Sequence, residues 1–121
     1  PAKAAEVVEL VNQFRDSVGC DPLKVDSRLT TAAQKHSTDM AQNNFFNHTS
    51  AAGTFDQRIR AEGYPAPAAE NIAKGQTSAQ QVMQSWMQSD GHRRNILNCR
   101  YSTIGVGVDK QGWLWTQDFG F

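Results

Sequence analysis

The chain has 121 residues, 39% of them hydrophobic and 20% charged, with twelve basic side chains against twelve acidic ones. That length suits one domain with a real core, and the charge balance excludes a dedicated nucleic-acid or anionic-membrane surface. No apolar run approaches the roughly 20 residues that span a bilayer. No secretory leader is visible, so the chain, with Pro1 set almost directly on a helical pattern, reads as a mature or trimmed domain. Arg93, Arg94 and Arg100 make a small basic cluster that reads as solvated surface.

Val7, Leu10, Val11, Phe14 and Val18 recur at helical spacing, which predicts a first helix over about residues 4–18, stopped by Gly19. A second helix is predicted over 27–44, with Asp26 or Ser27 as its N-cap. Leu29, Ala33, His36 and Met40 share one stripe of it, so His36 reads as a hydrogen-bonded core histidine. Thr54-x-x-Gln57 is a capping box that opens a short third helix, closed by Gly63. Pro65 and Pro67 then forbid regular helix, and Glu70–Ala73 is a candidate strand. Ser78-x-x-Gln81 opens a fourth helix with Ala79, Val82, Met83, Trp86 and Met87 on its core face, and Asp90-Gly91 is read as its stop.

After residue 100 the period changes to two. Ile104, Val106 and Val108 alternate with Thr103, Gly105 and Gly107, a turn follows at 109–112, and Trp113-Leu114-Trp115 begins a return strand. That return strand is apolar on both faces and needs layers above and below it. The expected fold class is therefore α+β, a three-layer α-β-α sandwich around a small antiparallel sheet, in one domain over residues 1–121. Gly105 and Gly107 leave one face of their strand bare for a helix or an indole to approach. Cys20 and Cys99 are expected to bridge and to indicate an oxidising, extracellular setting; two reduced buried thiols are the alternative.

Two histidines and one glutamate stand at the ends of elements, where binding sites are usually built. His48 follows the second helix, His92 the fourth, and Glu70 precedes an apolar pair. Phe46-Asn47-His48-Thr49, Ala69-Glu70-Asn71-Ile72, the run from Trp86 through Gly91-His92-Arg93-Arg94-Asn95 to Leu97, and the closing Gly105–Val108 and Trp115–Gly120 segments together resemble the CAP superfamily, bacterial type. The resemblance runs from about Val7 to Phe121. It implies an α-β-α sandwich, extracellular residence, and a cleft of two histidines and two glutamates where divalent metals are found in animal and plant members. His48, Glu70 and His92 match three of those four positions, and Ser89 replaces the second glutamate.

Two imidazoles and one carboxylate make a three-ligand set for zinc, with a fourth place for water. The alternative is a hydrogen-bonded cluster that orders three loops, with no cofactor required. A hydrolase would use Ser50 or Ser89 as nucleophile, His48 or His92 as base and Glu70 as orienter, although no Gly-x-Ser-x-Gly elbow is present. Phe45, Phe46, Phe55 and Tyr64 are candidates to line an apolar groove for a lipid or sterol. Asn71 and Gln117 are candidate hydrogen-bond supports for the histidines. Asn47-His48-Thr49 is also a glycosylation sequon, and a glycan there would crowd the cleft. The expectation is a monomeric, secreted, non-enzymatic binding or defence-type module with an unidentified secreted or cell-surface ligand, no nucleic-acid partner and no transmembrane segment.

Overall fold

The computed structural model describes residues 2–121; Pro1 lies outside the described residues. In chain order the elements are α1 (Ala2–Ser17), β1 (Lys24–Val25), α2 (Ser27–Gln42), α3 (Phe55–Ala61), β2 (Pro67–Lys74), α4 (Ala79–Met87), α5 (Asp90–Ile96), β3 (Thr103–Asp109) and β4 (Leu114–Gly120). The strands form one sheet in the order β1-β3-β4-β2. Helices α2 and α3 cover one face; α1, α4 and α5 cover the other. This is the three-layer sandwich. No helix among the described residues is long and apolar enough to cross a membrane.

Two features differ from the sequence reading. Asp90-Gly91 does not end helical structure; it begins α5, with Ser89 as the N-cap and Asp90 in the first turn, where an acid suits the helix dipole. His92 is therefore on a helix and not in a loop. The sheet is also not wholly antiparallel, because the two-residue β1 pairs parallel to β3. A segment that short carries no period for a sequence reading to find.

Alternation assigns the faces. Cβ atoms added to Gly105 and Gly107 would fall 2.1 Å from Leu29 backbone and 2.4 Å from Gln34 backbone, so α2 rests directly on the bare face of β3. Gly105 pairs with Asp118 and Gly107 with Thr116, and across β4 these pair with Glu70 and Ile72 of β2. Glu70 and Asp118 consequently face α2 and α3, while Asn71 and Gln117 face α5. The larger core lies on this second face, where Val7, Val11, Val82, Met83, Trp86, Ile96, Trp115 and Phe119 close together. Each large apolar side chain buried there contributes roughly 2–3 kcal/mol.

Helix α1 turns less of its stripe inward than the period suggests. Phe14 and Val18 are exposed, and Arg15 is fully buried instead. Its guanidinium donates to the carbonyls of Asp21, Ile96, Asn98 and Tyr101, so one cation satisfies the carboxyl end of α5 and the loop after it. The Cys20–Cys99 disulfide lies beside this contact, with a Cα–Cα distance of 4.9 Å and 79 residues of separation.

Gly107→Ala is expected to destabilise the domain by about 1–3 kcal/mol, since the added methyl meets α2 backbone and not a flexible side chain. The Cys20→Ser/Cys99→Ser pair is expected to cost about 4 kcal/mol through the long loop the bridge closes. Urea denaturation of both variants checks the two figures, and wild-type stability in either would contradict the corresponding contact.

Candidate functional site

The site is built around a buried ion pair. Arg58, on α3, points Nη2 at both oxygens of Glu70, 2.8 Å from Oε1 and 2.9 Å from Oε2. The same nitrogen donates to the His48 carbonyl at 2.8 Å. The Glu70 side chain is 0% exposed and that of Arg58 is 6% exposed. On α2, the buried His36 gives its Nε2–H to the carbonyl of Asn47 at 2.8 Å. Two core side chains thus hold the consecutive carbonyls of residues 47 and 48, which fixes the loop that carries the first cleft histidine. Burial lowers the His36 pKa, and the ring's Nδ1 is buried without a partner.

His48 donates Nδ1–H to Glu70 Oε1 at 2.9 Å. In the neutral ring that leaves Nε2 as an acceptor, and the side chain is 47% exposed. Asp118 stands opposite Glu70 on β4. Neither of its oxygens meets a donor, so the carboxyl is satisfied only as an acid giving its proton to Glu70. Burial, then the neighbouring Glu70 charge, push the Asp118 pKa well up and keep it in that form. Burial alone would also raise Glu70, but hydrogen bonds from His48, Asp118 and Arg58 outweigh it and bring Glu70 down to about 2.

On the other face of β2, Asn71 donates to the His92 carbonyl at 3.2 Å and to Gln117 Oε1 at 3.0 Å, and accepts from Asn95 at 2.8 Å. Asn71 thereby reaches His92 through its backbone and not its imidazole, and Gln117 reaches it through Asn71. Burial, and then the field of His48, lower the His92 pKa. The two histidines therefore flank the outer edge of β2 from opposite faces, one beside Glu70 and one beside Asn71.

The other expected residues are placed as follows. Ser89 caps α5 by accepting from Arg93 N through its carbonyl, and its hydroxyl makes no cap bond. Ser50 Oγ accepts from Ala52 N. Neither hydroxyl is hydrogen-bonded to a histidine among the described residues. Asn47 is exposed and uses its side-chain oxygen on Thr49 N. The four aromatics do not share a groove: Phe45 packs on Met40 and Ile72, Phe55 and Tyr64 pack with Leu29 and Ile59, and Phe46 is exposed.

The zinc set implied by the resemblance does not fit these side chains. A metal on Glu70 would have to displace the Arg58 guanidinium from both carboxylate oxygens, or the His48 Nδ1–H from one of them. Among the described residues no group of three or more His, Cys, Asp or Glu is arranged to hold a metal. Arg58 supplies the positive charge that the carboxylate needs. Neither Arg58 nor Asp118 was singled out from the sequence. The signal for Asp118 was present, since an acid in a strand covered on both faces must be paired or neutral.

Removing Arg58 leaves Glu70 buried without its cation. Arg58→Met is expected to cost about 3–5 kcal/mol, far more than a surface substitution. The two carboxyls have opposite pH linkage. Glu70 contributes stability that is complete above pH about 4.5 and is lost as pH falls toward 2. Asp118 contributes stability that is complete below about 3.8 and is lost as pH rises through its elevated pKa. Asp118→Asn is therefore expected to gain stability relative to wild type progressively above pH 4. Urea titrations from pH 3 to 8 measure this, and a pH-independent difference would contradict the protonated acid. His48→Ala is expected to raise the His92 midpoint in an NMR titration, because it removes the electrostatic influence of His48 that helps to lower it.

Comparison with known proteins agrees with this architecture. The family model described as CAP, the cysteine-rich secretory protein family, matches residues 8–119. An uncharacterised protein of Bacillus subtilis, YkwD, is 42% identical over 116 residues, covering 94% of this chain and 45% of its own. An uncharacterised membrane protein of the same organism, YlbC, is 35% identical over 117 residues, covering 94% of this chain and 33% of its own. The chain thus spans less than half the length of these curated relatives. Among solved structures, an extracellular protein of Bacillus anthracis containing an SCP domain superposes with a TM-score of 0.94 at 31% identity, covering 98% of this chain and 40% of that one. An outer surface protein of Borrelia burgdorferi gives 0.88 at 19% identity, covering 98% and 92%, a likeness of fold alone. On the match of the family model to nearly its whole length, the chain belongs to the CAP family.

Proposed function

We propose that this domain is an extracellular, non-enzymatic binding module whose site is the cleft between His48 and His92. The observation that carries this reading is the commitment of Glu70. Its carboxylate is wholly enclosed and bonded to Arg58 and His48, so it is spent on positioning and does not face a substrate. What faces outward is the His48 ring, with an acceptor at Nε2, and the half-buried His92 ring across the strand edge.

A Glu–His pair is two-thirds of a nucleophilic triad, so hydrolysis has to be weighed. It lacks a nucleophile: Ser50 is bonded to a loop amide and Ser89 sits at a helix cap. General-base work by His48 on a bound water would still need groups to stabilise an oxyanion. The extracellular assignment is supported by the disulfide, which persists in oxidising compartments. It is supported also by similarity to a Bacillus anthracis protein described as extracellular.

Two measurements test the reading together. Fluorophosphonate labelling is expected to leave the protein unmodified. A fragment screen followed by ¹⁵N–¹H spectra is expected to move signals at residues 48, 70 and 92. Covalent labelling lost in Ser50→Ala or Ser89→Ala would replace the binding reading with a hydrolase. Fragment shifts confined to other surfaces would move the site.

A further inference from the structure

The exposed part of Glu70 is its backbone. The residue as a whole retains 6% of its surface while its side chain retains none. Backbone direction follows from hydrogen bonds elsewhere in the sheet. Val108 turns both its N–H and its C=O away from β4, to Gln34 Oε1 at 3.1 Å and Gln34 Nε2 at 3.0 Å. Alternation along β3 and β4 then gives Trp115 and Gln117 their ladder bonds to β2 at Ala73 and Asn71. Glu70 and Ile72 therefore point their backbone groups outward, and the Trp86 indole N–H does meet the Ile72 carbonyl there at 3.1 Å. No helix, loop or side chain among the described residues bonds the N–H or C=O of Glu70.

The two edges of the sheet are thus treated differently. At Val108 a carboxamide, with donor and acceptor side by side, closes the N–H and C=O of one edge residue. At Glu70 the same pair meets no partner among the described residues, on a strand whose neighbouring side chains reach His48 from one face and the His92 backbone from the other. We infer that the His48–His92 cleft binds an extended polypeptide segment of a partner protein, which adds to the outer edge of β2 by exchanging both backbone hydrogen bonds with Glu70. This rests on the reading of the cleft as a binding site and names its ligand class.

The geometry selects among amide ligands. A residue in an extended strand presents N–H and C=O on the same side, which matches Glu70. An acetamido group of a sugar is a trans amide whose N–H and C=O point in opposite directions, so it can satisfy one group of Glu70 but not both. The incoming chain would lie between the rings, with His48 Nε2 available to a side-chain donor of that segment. Trp86 already occupies the Ile72 carbonyl, so the added pairing is short, and affinity beyond two hydrogen bonds must come from side chains beside the histidines.

The test uses the folded wild-type domain, ¹⁵N-labelled. The probes are acetylated, amidated pentapeptides alternating threonine with valine, tyrosine or lysine, the same peptides N-methylated at each internal residue, and N-acetylglucosamine. At least one unmethylated peptide is expected to shift the Glu70 amide and slow its hydrogen exchange about tenfold at saturation, with affinity about tenfold weaker after N-methylation. Equal binding of the N-methylated peptides, or of the sugar at Glu70, would overturn edge pairing while leaving the cleft as a binding site. Peptide shifts at the rings without Glu70 would do the same. Silence of the whole cleft to every probe, together with silence in the fragment screen, would remove both readings.

Discussion

The Arg58–Glu70 pair is the contact on which the rest of the site depends. An ionised carboxylate with no exposed surface is costly unless its charge is met and its lone pairs are filled. Arg58 meets the charge from α3, His48 fills one position from the loop after α2, and Asp118 fills another from the neighbouring strand as a neutral acid. Each partner is then constrained in return. Arg58 also holds the His48 carbonyl, so a single guanidinium fixes where the loop lies and what its histidine faces. The arrangement leaves Arg58 Nε and Nη1 buried without partners, a cost that its contacts to Glu70 and His48 offset.

The sandwich explains how one strand edge comes to have two walls. Side chains alternate across a sheet, so Glu70 and Asn71, adjacent in sequence, reach into opposite helical layers. Glu70 organises the α2–α3 side and Asn71 the α5 side. The proposed cleft lies over the outer edge of β2, between the side that carries His48 and the side that carries His92. Direct seating of α2 on Gly105 and Gly107 sets the position of one layer. Arg15 and the Cys20–Cys99 bridge anchor the other at the end of α5.

Against the pattern that the resemblance implies, this chain lacks one acidic side chain. Ser89 stands where the resemblance implies a second glutamate, and that position is the N-cap of α5, a place serine suits. The remaining glutamate is neutralised by an arginine. The serine and the Arg58–Glu70 pair leave little negative charge for a divalent cation and favour hydrogen bonding at this site. Two imidazoles and a strand edge remain as the surface on which the proposed binding would draw.

Much of this was legible in the sequence. Periodicity marked α1, α2, α4 and the β3–β4 hairpin, the two glycines announced the close approach on β3, and the motifs around His48, Glu70 and above all His92, with the closing hairpin, carried the resemblance to the family. The first helix shows where periodicity stops: Phe14 and Val18 fit the stripe but lie outside the core, while Arg15 lies inside it because four backbone carbonyls converge there. Helix α5 was missed because Asp-Gly serves equally as a stop and as a first turn, and only the packing of Ile96 decides between them. Candidate residues His48, Glu70 and His92 follow from residue type and place in the chain. That Glu70 faces inward to Arg58, and shows the cleft only its backbone, does not: it depends on strand register and on a helix brought beside it, and both are fixed by contacts between residues far apart in the sequence.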